Sequence, residues 1–202
     1  MQNKRKIVGL ILLPIGAVLV NAARAEYLRA RDAGAQEAQQ PELAPLRLKA
    51  NLSDKVLSVE EDGKVVKTYT FADGKSAYPT PRGTFMIDKV VWNPAWIPPD
   101  SKWAKGKTAK APGSPANPMK LVKIFFKEPD YYIHGTDQVD TIGSAASHGC
   151  LRMDPMDAAE LAIRVMEASG AQKDSSWYTN AIRDGETRTV RLPRKVEMVI
   201  TD

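Results

Sequence analysis

Ser147-His148-Gly149-Cys150-Leu151-Arg152-Met153 is the stretch in which this 202-residue chain gathers its reactive side chains. Cys150 is the only cysteine, and His148 and His134 are the only histidines. A thiolate attacks carbonyl carbons well, but a free thiol with a pKa near about 8.5 is mostly protonated at neutral pH. An imidazole close to the sulfur removes that obstacle. The stretch therefore predicts nucleophilic catalysis by Cys150.

Other roles for a lone cysteine fit this sequence less well. A buried structural thiol is common, but the neighbours of Cys150 are polar or glycine rather than apolar. A structural zinc site needs four ligands, and His134, His148 and Cys150 supply three. A redox thiol needs a resolving cysteine, which the chain lacks. We therefore expect neither a metal nor another cofactor.

Spacing alone leaves the base and the supporting residues open. Either His134 or His148 can be the base, because residues two apart share a side in a strand but not always in a turn. Arg152 is a candidate substrate ligand, with a surface cation as the alternative. Ser147 is a candidate part of the active-site turn, with a simple turn cap as the alternative. Tyr132 is the tyrosine that we expect to face the cleft.

The motifs resemble the signature of a known family, the L,D-transpeptidase catalytic domain (YkuD domain) of bacterial cell-wall enzymes. Tyr132-Ile133-His134-Gly135-Thr136, a loop, and the stretch from Ser147 to Met153 are similar to that signature in order and spacing. Three upstream segments are also similar to family elements: Thr80-Pro81-Arg82-Gly83-Thr84-Phe85, Asn93-Pro94-Ala95-Trp96 with Pro98-Pro99, and Ala116-Asn117-Pro118. The resemblance covers residues 46–202.

The resemblance implies a reaction and two catalytic residues. Cys150 would take the acyl group of a peptidoglycan stem tetrapeptide, release D-alanine, and pass the acyl group to an amine. His134 would be the general base, with the backbone carbonyl of Gly135 orienting its second ring nitrogen as a carboxylate does in a serine triad. Water as the acceptor would instead give a peptidoglycan hydrolase. A wall-binding module without turnover is a further alternative.

The resemblance also implies the remaining site residues. Backbone N–H groups around His148, Gly149 and Cys150 would form the oxyanion hole, and Ser147 and Gly135 would belong to the same active-site turn. Glycine without a Cβ suits such a turn. Arg152 would bind a substrate carboxylate through its bidentate guanidinium.

The first residues have the pattern of an export signal. Lys4, Arg5 and Lys6 precede an apolar run at 7–20, and Ala23-Arg24-Ala25 provides a cleavage site. We expect residues 1–25 to be a signal peptide; an uncleaved leader would instead anchor the chain to the membrane. Residues 26–45 are predicted to be a tether, and 46–202 the catalytic domain. The predicted location is the periplasm or cell envelope.

The charge of the chain gives little support for a nucleic-acid partner. The formal net charge is +5 and the pI is near 9.2. Residues 1–25 contain four basic and no acidic side chains, so the rest of the chain has a net charge of +1. We therefore expect no nucleic acid as a partner. The family resemblance implies peptidoglycan stem peptides as the partner.

Hydrophobic periodicity predicts a mainly β domain. Alternating, β-branched and aromatic residues predict strands at 46–51, 56–60, 64–71, 85–92, 121–127 and 131–134, and two closing strands at 187–192 and 195–201. Asp154, Pro155 and Gly170 delimit one strong helix. The family fold implied by the resemblance is a β-sandwich of mixed sheets with this principal α-helix after the nucleophile.

Overall fold

The structure, a computed structural model, describes residues 43–202. The predicted leader at 1–25 lies outside the described residues, as does the predicted tether up to position 42. Within the described part of the chain, no helix combines the length and apolarity needed to cross a membrane.

The described residues form ten strands, arranged in one large and one small sheet. They are β1 Leu43–Asn51, β2 Val56–Glu61, β3 Lys64–Thr70, β4 Asp73–Gly74, β5 Gly83–Trp92, β6 Val122–Lys127, β7 Tyr131–Gly135, β8 Ala145–Ser147, β9 Leu151–Met153 and β10 Arg188–Thr201. The large sheet has the order β3-β2-β1-β10-β5-β6-β7-β9, and β4 pairs with β8 in the small one. The pairs β1–β10, β7–β9 and β4–β8 are parallel, and the others are antiparallel. The predicted mainly β class with mixed sheets is confirmed.

Local sequence signals account well for the first hairpin. Asp62 and Gly63 connect β2 to β3 with φ of 49° and 74°. A two-residue hairpin loop with both residues at positive φ matches the right-handed twist of the strands, and the Asp-Gly pair tolerates it. The predicted turn is therefore confirmed. β1 begins at Leu43, three residues before the predicted strand.

The helix that follows the nucleophile segment also agrees with its prediction. α1 spans Pro155–Ser169, and the Asp154 side chain accepts hydrogen bonds from two N–H groups of its first turn. Gly170 ends it in the left-handed conformation, at φ 85°. Its buried face consists mainly of Ala158, Ala159, Leu161, Ala162, Val165 and Met166. This face packs against β1, β7 and β10, so the helix connects β7, the neighbour of the edge strand β9, to the centre of the sheet.

Two features of the C-terminal region differ from the predictions. The two closing strands are one strand, β10, whose register against β5 shifts between Arg191 and Val196. Pro193 cannot donate to the ladder, so it interrupts the pairing without ending the strand. A second helix, α2 Ser175–Arg183, was not predicted. It buries only Tyr178 and Ala181, too few residues for a clear helical period.

The core lies over the central strands. Alternate residues of β1 and β10 point into it, and each is at most 2% exposed: Leu46, Leu48, Ala50, Val196, Met198 and Ile200. Trp92 at the end of β5 is fully buried among them. The residues of the candidate site lie toward one edge of the large sheet, on and around β6, β7 and β9.

Candidate active site

His134 occupies the middle of a three-residue row across the sheet. The register pairs it with Lys123 on β6 and with Arg152 on β9. Paired residues of neighbouring strands face the same side of a sheet, so the imidazole lies between two cations. His134 is only 2% exposed.

β9 is held on both sides although it has only three residues. On one side it pairs with β7. On the other, Arg152 and Ala72 exchange two backbone hydrogen bonds of 2.8 Å each. The segment that carries the cysteine is thus tied to the sheet immediately after Cys150. Such fixation is what a preorganised site requires.

The turn before the cysteine is closed by Ser147. Its hydroxyl donates to the Cys150 carbonyl at 2.6 Å and accepts from the Gly149 N–H at 2.9 Å. Gly149 has φ 109°, and a Cβ there would lie 2.8 Å from Cε1 of Tyr131. Only glycine meets both conditions. The Gly149 N–H is already engaged, so the N–H groups of His148 and Cys150 are the candidates for holding an oxyanion.

His134 is held as a neutral imidazole. Its Nδ1 lies 2.5 Å from the Gly135 carbonyl oxygen. Because a carbonyl can only accept, Nδ1 carries the proton and Nε2 is left as the proton acceptor. Burial, the Arg152 guanidinium and the Lys123 ammonium lower the pKa of His134 from 6.5 to about 3, although the Gly135 and Pro118 carbonyls oppose this. The ring is therefore uncharged at neutral pH, with its one proton on Nδ1.

Cys150 is also neutral at rest. The half-buried thiol donates a hydrogen bond of 3.3 Å to the Asp130 carbonyl. Burial raises the pKa of Cys150 to about 11, while the Tyr132 backbone N–H and hydroxyl and the charges of Lys123 and Arg152 act in the opposite direction. The resting site therefore contains a thiol and a neutral imidazole, not a thiolate and an imidazolium.

The predicted side chains converge on one cleft of about 560 Å³. Cys150, His134, His148, Arg152 and Tyr132 all line it. Tyr131 lines it as well, so facing the cleft does not distinguish the two tyrosines. Arg152 is half-buried and donates to the Gln138 side chain at 3.1 Å, so it is not the isolated surface cation of the alternative interpretation.

A loop between β5 and β6 forms one wall of the cleft. Trp96 and Lys110 exchange backbone hydrogen bonds of 3.0 and 2.9 Å, which close residues 96–110 into a loop. At its far end, the Trp103 indole stacks on His148 with ring centroids 4.0 Å apart and planes inclined by 17°. The Tyr78 ring lies beside the same imidazole, with ring centroids 4.9 Å apart. His148 is thus held as part of the wall.

Sequence reasoning did not single out Lys123, Tyr78 or Gln138. Each is a common residue type outside the quoted motifs, and each reaches the site through long-range pairing or loop closure. For metals, the described residues 43–202 contain no group of three or more His, Cys, Asp or Glu that could hold an ion.

Comparison with known proteins identifies the class. The family model of the L,D-transpeptidase catalytic domain, YkuD, matches residues 45–190. The chain therefore belongs to the L,D-transpeptidase (YkuD) family.

Among curated proteins named as L,D-transpeptidases, YkuD of Bacillus licheniformis is 32% identical over 122 residues, which are 60% of this chain and 61% of that protein. YkuD of Bacillus subtilis is 30% identical over 122 residues, 60% of this chain and 62% of that protein. The chain thus spans about three fifths of the length of these relatives. A solved L,D-transpeptidase from Mycobacterium smegmatis is 21% identical, with a TM-score of 0.47 and coverage of 79% of this chain and 59% of that one.

Proposed function

We propose that the chain is a peptidoglycan L,D-transpeptidase of the bacterial cell envelope, in which Cys150 is the nucleophile and His134 the base. The observation that supports the proposal is that both side chains line one cleft, in a chain of this family. The donor is a stem tetrapeptide, D-alanine is the leaving group, and an amine is the acceptor. The export signal predicted at 1–25 would bring the enzyme to this substrate.

The neutral resting pair determines how the acylation begins. As the sulfur of Cys150 attacks the carbonyl carbon, Nε2 of His134 accepts the thiol proton. The Gly135 carbonyl, which already accepts from Nδ1, stabilises the imidazolium that forms. The N–H groups of Cys150 and His148 are the donors toward the tetrahedral oxygen. The imidazolium then gives its proton to the departing amine of D-alanine, and a thioester remains.

Transfer repeats these steps with the acceptor. The acceptor amine attacks the thioester carbon, Nε2 of His134 takes the proton of the amine, and Cys150 recovers its proton when the thiol leaves. Water can follow the same route to give a hydrolase. Arg152 binds a carboxylate of the substrate, and Tyr132 packs beside the sulfur.

The test uses disaccharide tetrapeptides with the full chain and with a Cys150→Ala variant. Mass spectrometry of the products separates the outcomes. Cross-linked dimers from the wild type alone support transfer, and shortened stems from the wild type alone support hydrolysis instead. Unchanged stems with both proteins contradict an enzyme of this kind. Circular dichroism of the variant checks that the fold is retained.

A further inference from the structure

Lys123 is a half-buried ammonium group in the cleft that the proposed chemistry does not use. It lies on β6, directly opposite His134 in the register of β7. Its side chain lines the same cleft as Cys150 and Arg152. Its Nζ lies 4.5 Å from the centroid of the Tyr132 ring. The lysine therefore stands on the opposite side of the imidazole from Arg152.

The charge of Lys123 has no acidic partner among the described residues. Within residues 43–202 it forms no ion pair and donates no hydrogen bond. Lys89 provides a contrast. Its Nζ also lies over an aromatic ring, that of Phe125, but it forms an ion pair of 2.5 Å with Glu128. A buried cation without a counter-ion is costly. Burial accordingly lowers the pKa of Lys123, although the nearby Cys150 sulfur opposes this.

The acidic residues that line the cleft do not pair with this ammonium. Asp100 and Asp130 are the acidic residues among the described residues that line it, and both are exposed. Neither pairs with Lys123. An unpaired ammonium beside the nucleophile is suited to a ligand with a negative charge near the scissile bond. A stem peptide has carboxylates of this kind on its terminal D-alanine and on its diamino acid.

We propose that Lys123 is a specificity-determining residue that binds a carboxylate of the donor stem peptide, across the imidazole of His134 from Arg152. The proposal rests on the proposed function, since it takes the donor to be a stem peptide. The two cations then hold two different parts of an anionic donor and fix the carbonyl carbon over the sulfur. Removal of the Lys123 ammonium weakens the binding only of donor peptides that retain the carboxylate bound by Lys123.

The test measures equilibrium binding in the Cys150→Ala background, where no sulfur is left for the lysine to influence. Lys123→Met is compared with Lys127→Met. The control lysine lies on the same strand and stacks on Tyr131 at 5.5 Å, but it is exposed and outside the cleft. Three tetrapeptides serve as probes: one with free carboxylates, one with a D-alanine amide terminus, and one with an amidated diamino acid. Calorimetry gives each Kd, and thermal unfolding checks each fold.

Lys123→Met is expected to weaken binding of the free tetrapeptide roughly 10- to 100-fold, the usual range for a hydrogen bond to a charged group. With Lys123 present, one of the two amidated peptides should bind more weakly than the free tetrapeptide by the same factor. Lys123→Met should not weaken the binding of that amidated peptide any further. That peptide identifies which carboxylate is bound. Lys127→Met should bind all three peptides as the parent does.

Equal weakening of all three peptides by Lys123→Met, or no weakening, overturns the assignment. D-alanine release by the wild type is measured separately. If the wild type releases D-alanine and Lys123→Met binds the peptides unchanged, the role of Lys123 is rejected and the proposed function is retained. If binding depends on the charge of Lys123 but the wild type releases no D-alanine, the role of Lys123 is retained and the transpeptidase function is rejected. No binding of any tetrapeptide rejects both.

Discussion

The strand pairs β1–β10 and β7–β9 are both parallel and both bury apolar side chains, but β7–β9 also presents an imidazole and a cation to the cleft. β1 and β10 pair Leu48 with Met198, and both side chains are fully buried. β7 and β9 pair His134, which is 2% exposed, with the half-buried Arg152. The same backbone ladder therefore supports an apolar core in one place and a cation beside an imidazole in the other.

The difference shows how the fold separates stability from chemistry. α1 packs against both pairs, but the central pair is the longer one, so its buried apolar contacts contribute more to the free energy of unfolding. The edge pair is short, and it holds an imidazole whose positively charged form is disfavoured by burial and by two neighbouring cations. Local conflicts of this kind are expected at functional sites. Variants in the two pairs should therefore affect different measurements.

The largest effect is expected from His134→Gln. Removal of a general base slows acylation by about 10²–10⁴-fold, whereas the free energy of unfolding at pH 7 changes far less. D-alanine release and urea unfolding measure the two quantities. His148→Gln is the matched control, because that ring is stacked in the cleft wall. A larger loss of rate in His148→Gln than in His134→Gln would make His148 the base.

Leu48→Ala tests the other strand pair. Removal of a fully buried leucine should lower the free energy of unfolding by about 2–5 kcal/mol. The kcat of the folded enzyme should remain within about twofold of the wild type, since this pair does not line the cleft. Val65→Ala on the exposed face of β3 is the control, with an expected change within about 0.5 kcal/mol. A large loss of kcat in Leu48→Ala would mean that the two pairs are coupled.

Alkylation of Cys150 by iodoacetamide should follow its raised pKa. A shift from 9.0 to about 11 lowers the thiolate fraction at pH 8 about 100-fold relative to an unperturbed thiol. The alkylation rate should therefore keep rising with pH up to about 11. Tyr132→Phe, which removes a hydroxyl that favours the thiolate, should slow it further. A plateau between pH 4 and pH 8 would instead indicate a thiolate–imidazolium pair at rest.

The smallest effect concerns acid stability. The pKa of His134 is about 3 in the folded protein and 6.5 as its ordinary value. Between these values the unfolded chain binds a proton that the folded chain does not, so stability falls as the pH is lowered from 6.5. The slope from this group is at most about 1.4 kcal/mol per pH unit. Urea unfolding from pH 7 to pH 4.5 should show this slope in the wild type and in Leu48→Ala, but reduced in His134→Gln.

Local signals in the sequence predicted most of the elements. The β2–β3 turn at Asp62 and Gly63 and the caps of α1 at Asp154 and Gly170 agree with the structure because each depends on a few neighbouring residues. Strands β4, β8 and β9 have two or three residues, which is too short for an alternating pattern. The parallel pairing of β1 with β10 joins the two ends of the described chain, and no local pattern encodes it.

The residues of the site also differ in whether the local sequence predicts them. Cys150 and His134 could be found from the sequence because the chain has one cysteine and two histidines, arranged in a specific motif. Lys123 is one of 29 lysine and arginine residues and has nothing distinctive around it. Its place in the cleft follows from the register of β6 against β7. The low thiolate fraction also depends on burial, which the sequence around Cys150 does not reveal.

The stacking of Trp103 on His148 gives the protein a built-in optical signal. The chain has four tryptophans, and Trp92 is sealed in the core, away from the cleft. Trp103 instead forms part of the cleft wall, in face-to-face contact with an imidazole. Any molecule that separates the two rings changes the surroundings of that indole. Its fluorescence emission, isolated by subtracting the spectrum of Trp103→Phe, then follows cleft occupancy in real time without a label.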